Sequence, residues 1–214
     1  MSKPYTDTDF SAQIIDERNW RIKEISDLKS AIKRGDEGLR RVLLRALVAL
    51  CYAHWEGYVR FSAKKYLEHV ALRRLKYSEL NPQFLRNYFL PRLAAISTSR
   101  ASVADRCALV DEILNSEATR FSRVNDDLVN TKANLNFDVF SDICIVCGVP
   151  PDALADKATF IDVILLKRRN AIAHGEDTFV AIDDLDEISN DTIGLMRAFG
   201  DVLENQVVLR TYKL

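Results

Sequence analysis

The chain has 214 residues, 48% of them hydrophobic and 29% charged, with a formal net charge of −1. That size suits a single domain over 1–214, with room for a small insertion, and the composition excludes a disordered chain. Seven Gly and five Pro are too few for a turn-rich all-β domain, and near-neutrality excludes a globally basic nucleic-acid coat, though not a local basic patch.

The apolar pattern is helical almost throughout. From Phe10, the residues Ile14, Ile15, Ile22, Ile25 and Leu28 keep a rough helical period. Thr8 or Asp9 is the expected cap, and Lys33-Arg34-Gly35 the expected stop. A second helix is predicted from Asp36 to about Lys76. At about 60 Å it would exceed a small domain's diameter, so a bend is expected, with Gly57 one candidate position. Its centre, Leu43 to Tyr58, is the most apolar stretch and reads as core. Asn81-Pro82 opens a helix with Pro at its first position, Pro91 falls inside or just after it, and Ser97 to Ser102 is a polar break.

Further helices are predicted at Val103 to Ser116, Phe137 to Cys147 (stopped by Gly148), Ala158 to His174 (stopped by Gly175) and Asp183 or Asp184 to about Arg210. Asp126 to Asn136 reads as a polar loop, and Thr178 to Ile182 as a short extended piece. The stretch 79–135 is the least regular and reads as a helical insertion between the long early helices and the late ones.

Charge is unevenly spread. Arg18 to Lys76 holds fifteen Lys or Arg against six acids, and Glu176 to Glu204 holds nine acids against one Arg. A basic ligand face and complementary helix packing both explain this. The longest uncharged run, between Arg45 and Glu56, spans ten residues, about half of what a bilayer needs. Met1 to Phe10 has no apolar stretch, so neither a secretory signal nor a membrane partner is expected. Four cysteines without a spacing framework fit a reduced, cytoplasmic chain. Cys144-x-x-Cys147 is one pair without a second and reads as packing, with redox or metal chemistry the alternative. No phosphate loop or nucleophile elbow is present, and no metal or cofactor is expected.

The segment Leu165 to Glu176 differs from the rest. An apolar helix turns abruptly basic through Lys167, Arg168 and Arg169, then places His174 on its last turn before Gly175. A histidine there lies at the negative end of the helix dipole, and imidazole trades protons at physiological pH. Asn170 and His174 share a face. Arg169 lies about 140° from His174 on an ideal helix, so two copies meeting across a two-fold axis would bring Arg, Asn and His around one cleft more easily than one chain can. Each residue also has a plainer role. His174 would cap the helix, Arg169 would pair with a surface acid, Asn170 would be solvated, and Lys167 and Arg168 would form a solvated basic face.

Arg169-Asn170-x-x-x-His174 resembles the Arg-x4–6-His motif of the HEPN superfamily, including the polar residue after the Arg. The stretch Ala53-His54-Trp55-Glu56-Gly57-Tyr58, with Arg60 and Lys64-Lys65-Tyr66-Leu67, is similar to the long early helix of a bacterial HEPN-like ribonuclease group found in toxin–antitoxin, restriction and phage-defence loci. The resemblance covers the helices around 10–76 and 136–210. It implies an all-α bundle, a homodimer, an RNA substrate, and an antitoxin or defence-system partner. It also implies metal-independent endoribonuclease activity by attack of the ribose 2′-OH. On this reading Arg169, Asn170 and His174 are catalytic, Lys167 and Arg168 touch RNA, and Glu56 orients the active-site Arg or His. The alternative for Glu56 is an ion pair with Arg60. The alternative for the whole chain is a catalytically silent HEPN-type module binding nucleotide, RNA or protein, or a plain helical interaction protein. Many HEPN toxins carry a Tyr two residues after the His as a modification target, and Glu176 stands there instead. Trp55 and Tyr58 are expected in the core or a dimer interface, and His69 on the surface without a partner.

Overall fold

The computed structural model describes residues 3–98 and 101–214. The polar break expected over 97–102 falls partly on Ser99 and Arg100, outside the described residues. Among the described residues seven α-helical elements follow in chain order: α1 (Asp7–Arg34), α2 (Glu37–Leu72), α3 (Pro82–Thr98), α4 (Val103–Leu114), α5 (Phe137–Val146), α6 (Arg168–Ala173) and α7 (Asp184–Val208). Among the described residues there is no β-strand, only the isolated bridges Lys76–Arg120 and Leu80–Lys213. The extended piece expected at 178–182 therefore pairs with nothing. The chain is an all-α bundle.

The helix ends follow local chemistry. Thr6, not Thr8 or Asp9, caps α1. Its hydroxyl accepts from Asp9 N–H at 3.0 Å, and Asp9 returns a carboxylate to Thr6 N–H at 2.9 Å. Asp36 caps α2 by accepting from Leu39 N–H at 2.9 Å. Gly148 and Gly175 end their helices with φ of +69° and +81°, a conformation glycine reaches without steric cost.

α1, α2 and α7 form the central layer, each packed on the other two. The join at Gly35-Asp36 is so short that α1 and α2 must run antiparallel. Trp20 meets His54, and Phe10 meets Tyr66. α2 runs unbroken over 36 residues. Gly57 lies on its α1-facing side, where a Cβ would come within 3.0 Å of the Arg21 guanidinium. The glycine permits close approach of α1. Trp55 and Tyr58 are fully buried within the chain, and Trp55 stacks near Phe140 and Phe199. They belong to the core, which resolves the choice between core and interface.

Part of the charge asymmetry goes into packing between the two ends of the chain. Arg18 pairs with Asp201, Lys29 with Asp186, and Arg41 with Asp177, joining the basic early helices to the acidic tail. His69 is the clearest departure from expectation. It is wholly buried, with Nδ1 3.0 Å from the Pro4 carbonyl and Nε2 3.3 Å from the Asp7 carboxylate, against the Phe10 ring. Burial holds its pKa below 6.5. Cys144 and Cys147 are both buried free thiols, and burial pushes the Cys144 thiol up to about 12, which favours the packing reading. Among the described residues no helix is long and apolar enough to cross a membrane.

Candidate active site

The motif helix does not begin as an ordinary α-helix. Phe160–Lys167 is π-helical and runs directly into α6. π-helical segments recur at functional sites because their wider i→i+5 turns change which face the following residues present. The apolar pattern of Phe160, Ile161 and Leu165, all buried, gave no sign of it. From Arg168 the chain is α-helical, and His174 follows as the residue after the last turn. Its N–H donates to the Asn170 carbonyl at 2.9 Å. Gly175 N–H then donates to Ile172 O at 3.1 Å and Glu176 N–H to Ala171 O at 2.9 Å, so the helix end is satisfied by its own backbone.

The His174 imidazole is thereby left free of a capping duty. It is exposed and makes no hydrogen bond or ion pair among the described residues. Asn170, half-buried, has no side-chain partner either. Lys167 is exposed and makes no ion pair among the described residues. Arg168 differs from Lys167: it donates to the Asp184 carboxylate at 2.8 Å, with both side chains partly buried.

Arg169 is packed against the fold. Its guanidinium carbon lies 3.9 Å from the centre of the Tyr52 ring, a cation–π stack. Its Nη2 donates to the Ala133 carbonyl and the Asn134 side-chain oxygen, each at 3.3 Å. Its Nε is buried without an acceptor. Two of the three guanidinium nitrogens therefore face the chain itself. Tyr52 is almost fully buried, and its hydroxyl accepts from Leu135 N–H at 2.6 Å. Burial raises the Tyr52 pKa, and the nearby Glu56 carboxylate adds to this while Arg169 opposes it. Lys132 and Ala133 hold φ of +51° and +61°, a left-handed pair that costs side-chain-bearing residues free energy. That pair turns the Ala133 carbonyl onto Arg169.

Glu56 lies one helical turn beyond Tyr52. It makes no ion pair with Arg60 among the described residues and lines a polar cleft of about 390 Å³ with Arg60, Lys64, Asp126, Asn130 and Ala133. The cleft ends at Ala133, the residue holding Arg169. Tyr52, Ala133 and Asn134 escaped the sequence reading. The polar stripe Tyr52, Glu56, Arg60, Lys64 at four-residue spacing was the available signal for the first of them. No similar signal marks Asn134 within a generally polar loop.

The segment after Gly175 is tied to the start of α2. Arg41 pairs with Asp177 at 2.6 Å, and Arg45 donates to the Thr178 carbonyl at 3.3 Å. The Arg41 guanidinium holds the Asp177 carboxyl below its usual range. Beside these ties Leu39, Val42, Phe179 and Ile182 are exposed. Among the described residues no three His, Cys, Asp or Glu side chains converge as a metal site would require. No curated protein and no solved structure matches the chain. The family model described as RiboL-PSP-HEPN matches residues 16–205, so it spans both the long early helices and the Arg169-to-His174 segment. The chain belongs to the RiboL-PSP-HEPN family.

Proposed function

We propose that this protein is a metal-independent endoribonuclease of the toxin or anti-phage effector kind, acting as a homodimer whose two Arg169-Asn170-x-x-x-His174 segments share one cleft. The observation that carries this reading is the contrast between His174 and Arg169. The imidazole is exposed and unpartnered at the end of its helix, while the guanidinium five residues earlier is fixed by the fold. A mobile proton carrier beside a fixed cation is what phosphodiester cleavage needs. One His174 would take the proton from the ribose 2′-OH as that oxygen attacks phosphorus. The second would protonate the departing 5′ oxygen, and a 2′,3′-cyclic phosphate would remain. Arg169 Nη1 would donate to a non-bridging oxygen of the phosphorane, one nitrogen from each chain replacing a bidentate fork from one. Asn170 would bind phosphate or orient the imidazole, and Lys167 would meet the RNA backbone. Arg168 serves that purpose less well because Asp184 occupies it. Glu56 would act through Tyr52. The exposed Leu39, Val42, Phe179 and Ile182 would form the dimer contact, the last two close to His174 in sequence and the first two joined to that segment by the Arg41–Asp177 pair. Residues 79–135 would be an insertion into this domain, and an antitoxin or defence-system protein a further partner.

The second reading, a catalytically silent module that binds nucleotide, RNA or protein, is favoured by one observation. Arg169 already has acceptors within its own chain, as a structural arginine would. Cleavage of labelled single-stranded RNA in EDTA, by wild type and by His174→Ala, separates the two. The nuclease gives cyclic-phosphate ends that the variant fails to produce. A folded dimer that binds varied cellular RNAs and cleaves none would establish the silent module.

A further inference from the structure

The nuclease reading rests on Arg169, and Arg169 does not hold itself in place. A free arginine side chain samples many rotamers, and ordering it costs conformational entropy. Here two elements distant in sequence remove that freedom. Tyr52, from α2, supplies the ring on which the guanidinium lies. The loop before α5 supplies two acceptors to Nη2, the Ala133 carbonyl and the Asn134 side-chain oxygen. The loop and the ring are themselves joined, because the Tyr52 hydroxyl accepts from Leu135 N–H at 2.6 Å. The left-handed φ values of Lys132 and Ala133 show that the loop is held in this shape against its local preference. Closed in this way, the arrangement ties Nη2 to the loop and buries Nε.

We propose that Tyr52 and Asn134 are positioning residues for Arg169, forming a cradle that fixes its guanidinium for one-nitrogen donation to the phosphate. This deepens the nuclease reading and rests on it. Tyr52 and Asn134 touch no substrate in this scheme. Their effect passes through Arg169, so their loss should lower kcat and leave KM nearly unchanged, because the interaction strengthens as charge develops on the phosphorane oxygens. The cradle also explains why Asn134 must present its oxygen. A guanidinium only donates, so an aspartate, which only accepts, would serve in its place and an alanine would not.

The test compares Asn134→Ala, Asn134→Asp, Tyr52→Phe and Tyr52→Leu, with Arg169→Ala as reference. Asn134 is exposed, so its variants fold even if truncating the buried Tyr52 proves disruptive. Two readouts are taken on the full-length protein: steady-state RNA cleavage, and the rate at which phenylglyoxal modifies Arg169, followed by peptide mass spectrometry. Asn134→Ala and Tyr52→Leu should lower kcat on the order of tenfold, and should speed modification of Arg169 by a similar factor, as loss of a partly desolvated cation–π or charge-assisted contact implies. Asn134→Asp should restore both readouts. Tyr52→Phe should fall between, since it keeps the ring and loses the Leu135 contact. Unchanged modification of Arg169 in every variant would overturn the cradle and leave the nuclease reading standing. Faster modification with unchanged kcat, in an enzyme that Arg169→Ala inactivates, would overturn the positioning role alone. If the wild type cleaves no RNA, the nuclease reading fails, and the positioning role fails with it, whatever the modification rates show.

Discussion

Replacing Gly200 by alanine tests the central packing of the three long helices. Gly200 is buried on α7, and a Cβ placed there would lie 2.4 Å from the Tyr58 hydroxyl oxygen, with an Arg18 guanidinium nitrogen at 3.2 Å. Carbon and oxygen in contact sit at about 3.3 Å or more, so the hydroxyl would have to move by roughly 0.9 Å. Tyr58 is fully buried and cannot swing aside as a surface side chain would. Overpacking of this kind costs about 1–3 kcal/mol. Against it stands the gain of about 1 kcal/mol from removing glycine from a helix interior. The net expectation is a loss of up to about 2 kcal/mol. Gly194, two turns earlier on the same helix, is exposed and has no atom within 4 Å of its would-be Cβ. Gly194→Ala should therefore gain about 0.5–1 kcal/mol. Urea unfolding of both variants should move the midpoints in opposite directions, and the thermal midpoints should differ by about 4–8 °C. Tyr58→Phe removes the clashing oxygen, so combining it with Gly200→Ala should recover most of the lost stability in a double-mutant cycle. Equal stabilisation by Gly194→Ala and Gly200→Ala would refute the proposed approach of α2 to α7.

Two further outcomes follow from burial. His54 and His69 are each held below 6.5, first by burial, with Glu24 and Asp7 respectively opposing the shift. The unfolded chain therefore takes up protons first as pH falls. The stability this contributes is complete above 6.5 and is lost as pH drops through that value toward the folded pKa. The urea midpoint should decline as pH falls through 6.5, and less steeply in His69→Gln; a flat profile would contradict the burial of both rings. Thiol labelling of native protein should modify Cys107 alone, since it is exposed while Cys51, Cys144 and Cys147 are buried, with Cys51 and Cys144 pushed up to about 12. Rapid labelling of a second cysteine before unfolding would contradict the packing around α5.

What could be read from the residues alone was local. Helix starts and stops depend on atoms within about four residues of one another, so Asp36, Pro82, Gly148 and Gly175 were legible as punctuation. The apolar stretch around Trp55 was legible as core because burial follows the helical period. The position of His174 at a helix end belonged to the same class of statement, as did the family resemblance carried by Arg169, Asn170 and His174. Even locally there were misses. Thr6 took the cap from Thr8 and Asp9, and the π-helical turn of Phe160–Lys167 left no mark on an apolar pattern that suits either helix type. Everything that depends on distant residues needed the folded chain. His69 reads as a surface residue in the sequence because its partners, Pro4 and Asp7, lie some sixty residues away. The charge asymmetry between the two ends had two explanations until Arg18, Lys29 and Arg41 were found against Asp201, Asp186 and Asp177. The cradle of Arg169 joins residues 52, 133–135 and 169. A side chain's chemical type is written in the sequence, but which acceptors it meets depends on how helices far apart in the chain pack, and that was decided only by the tertiary structure.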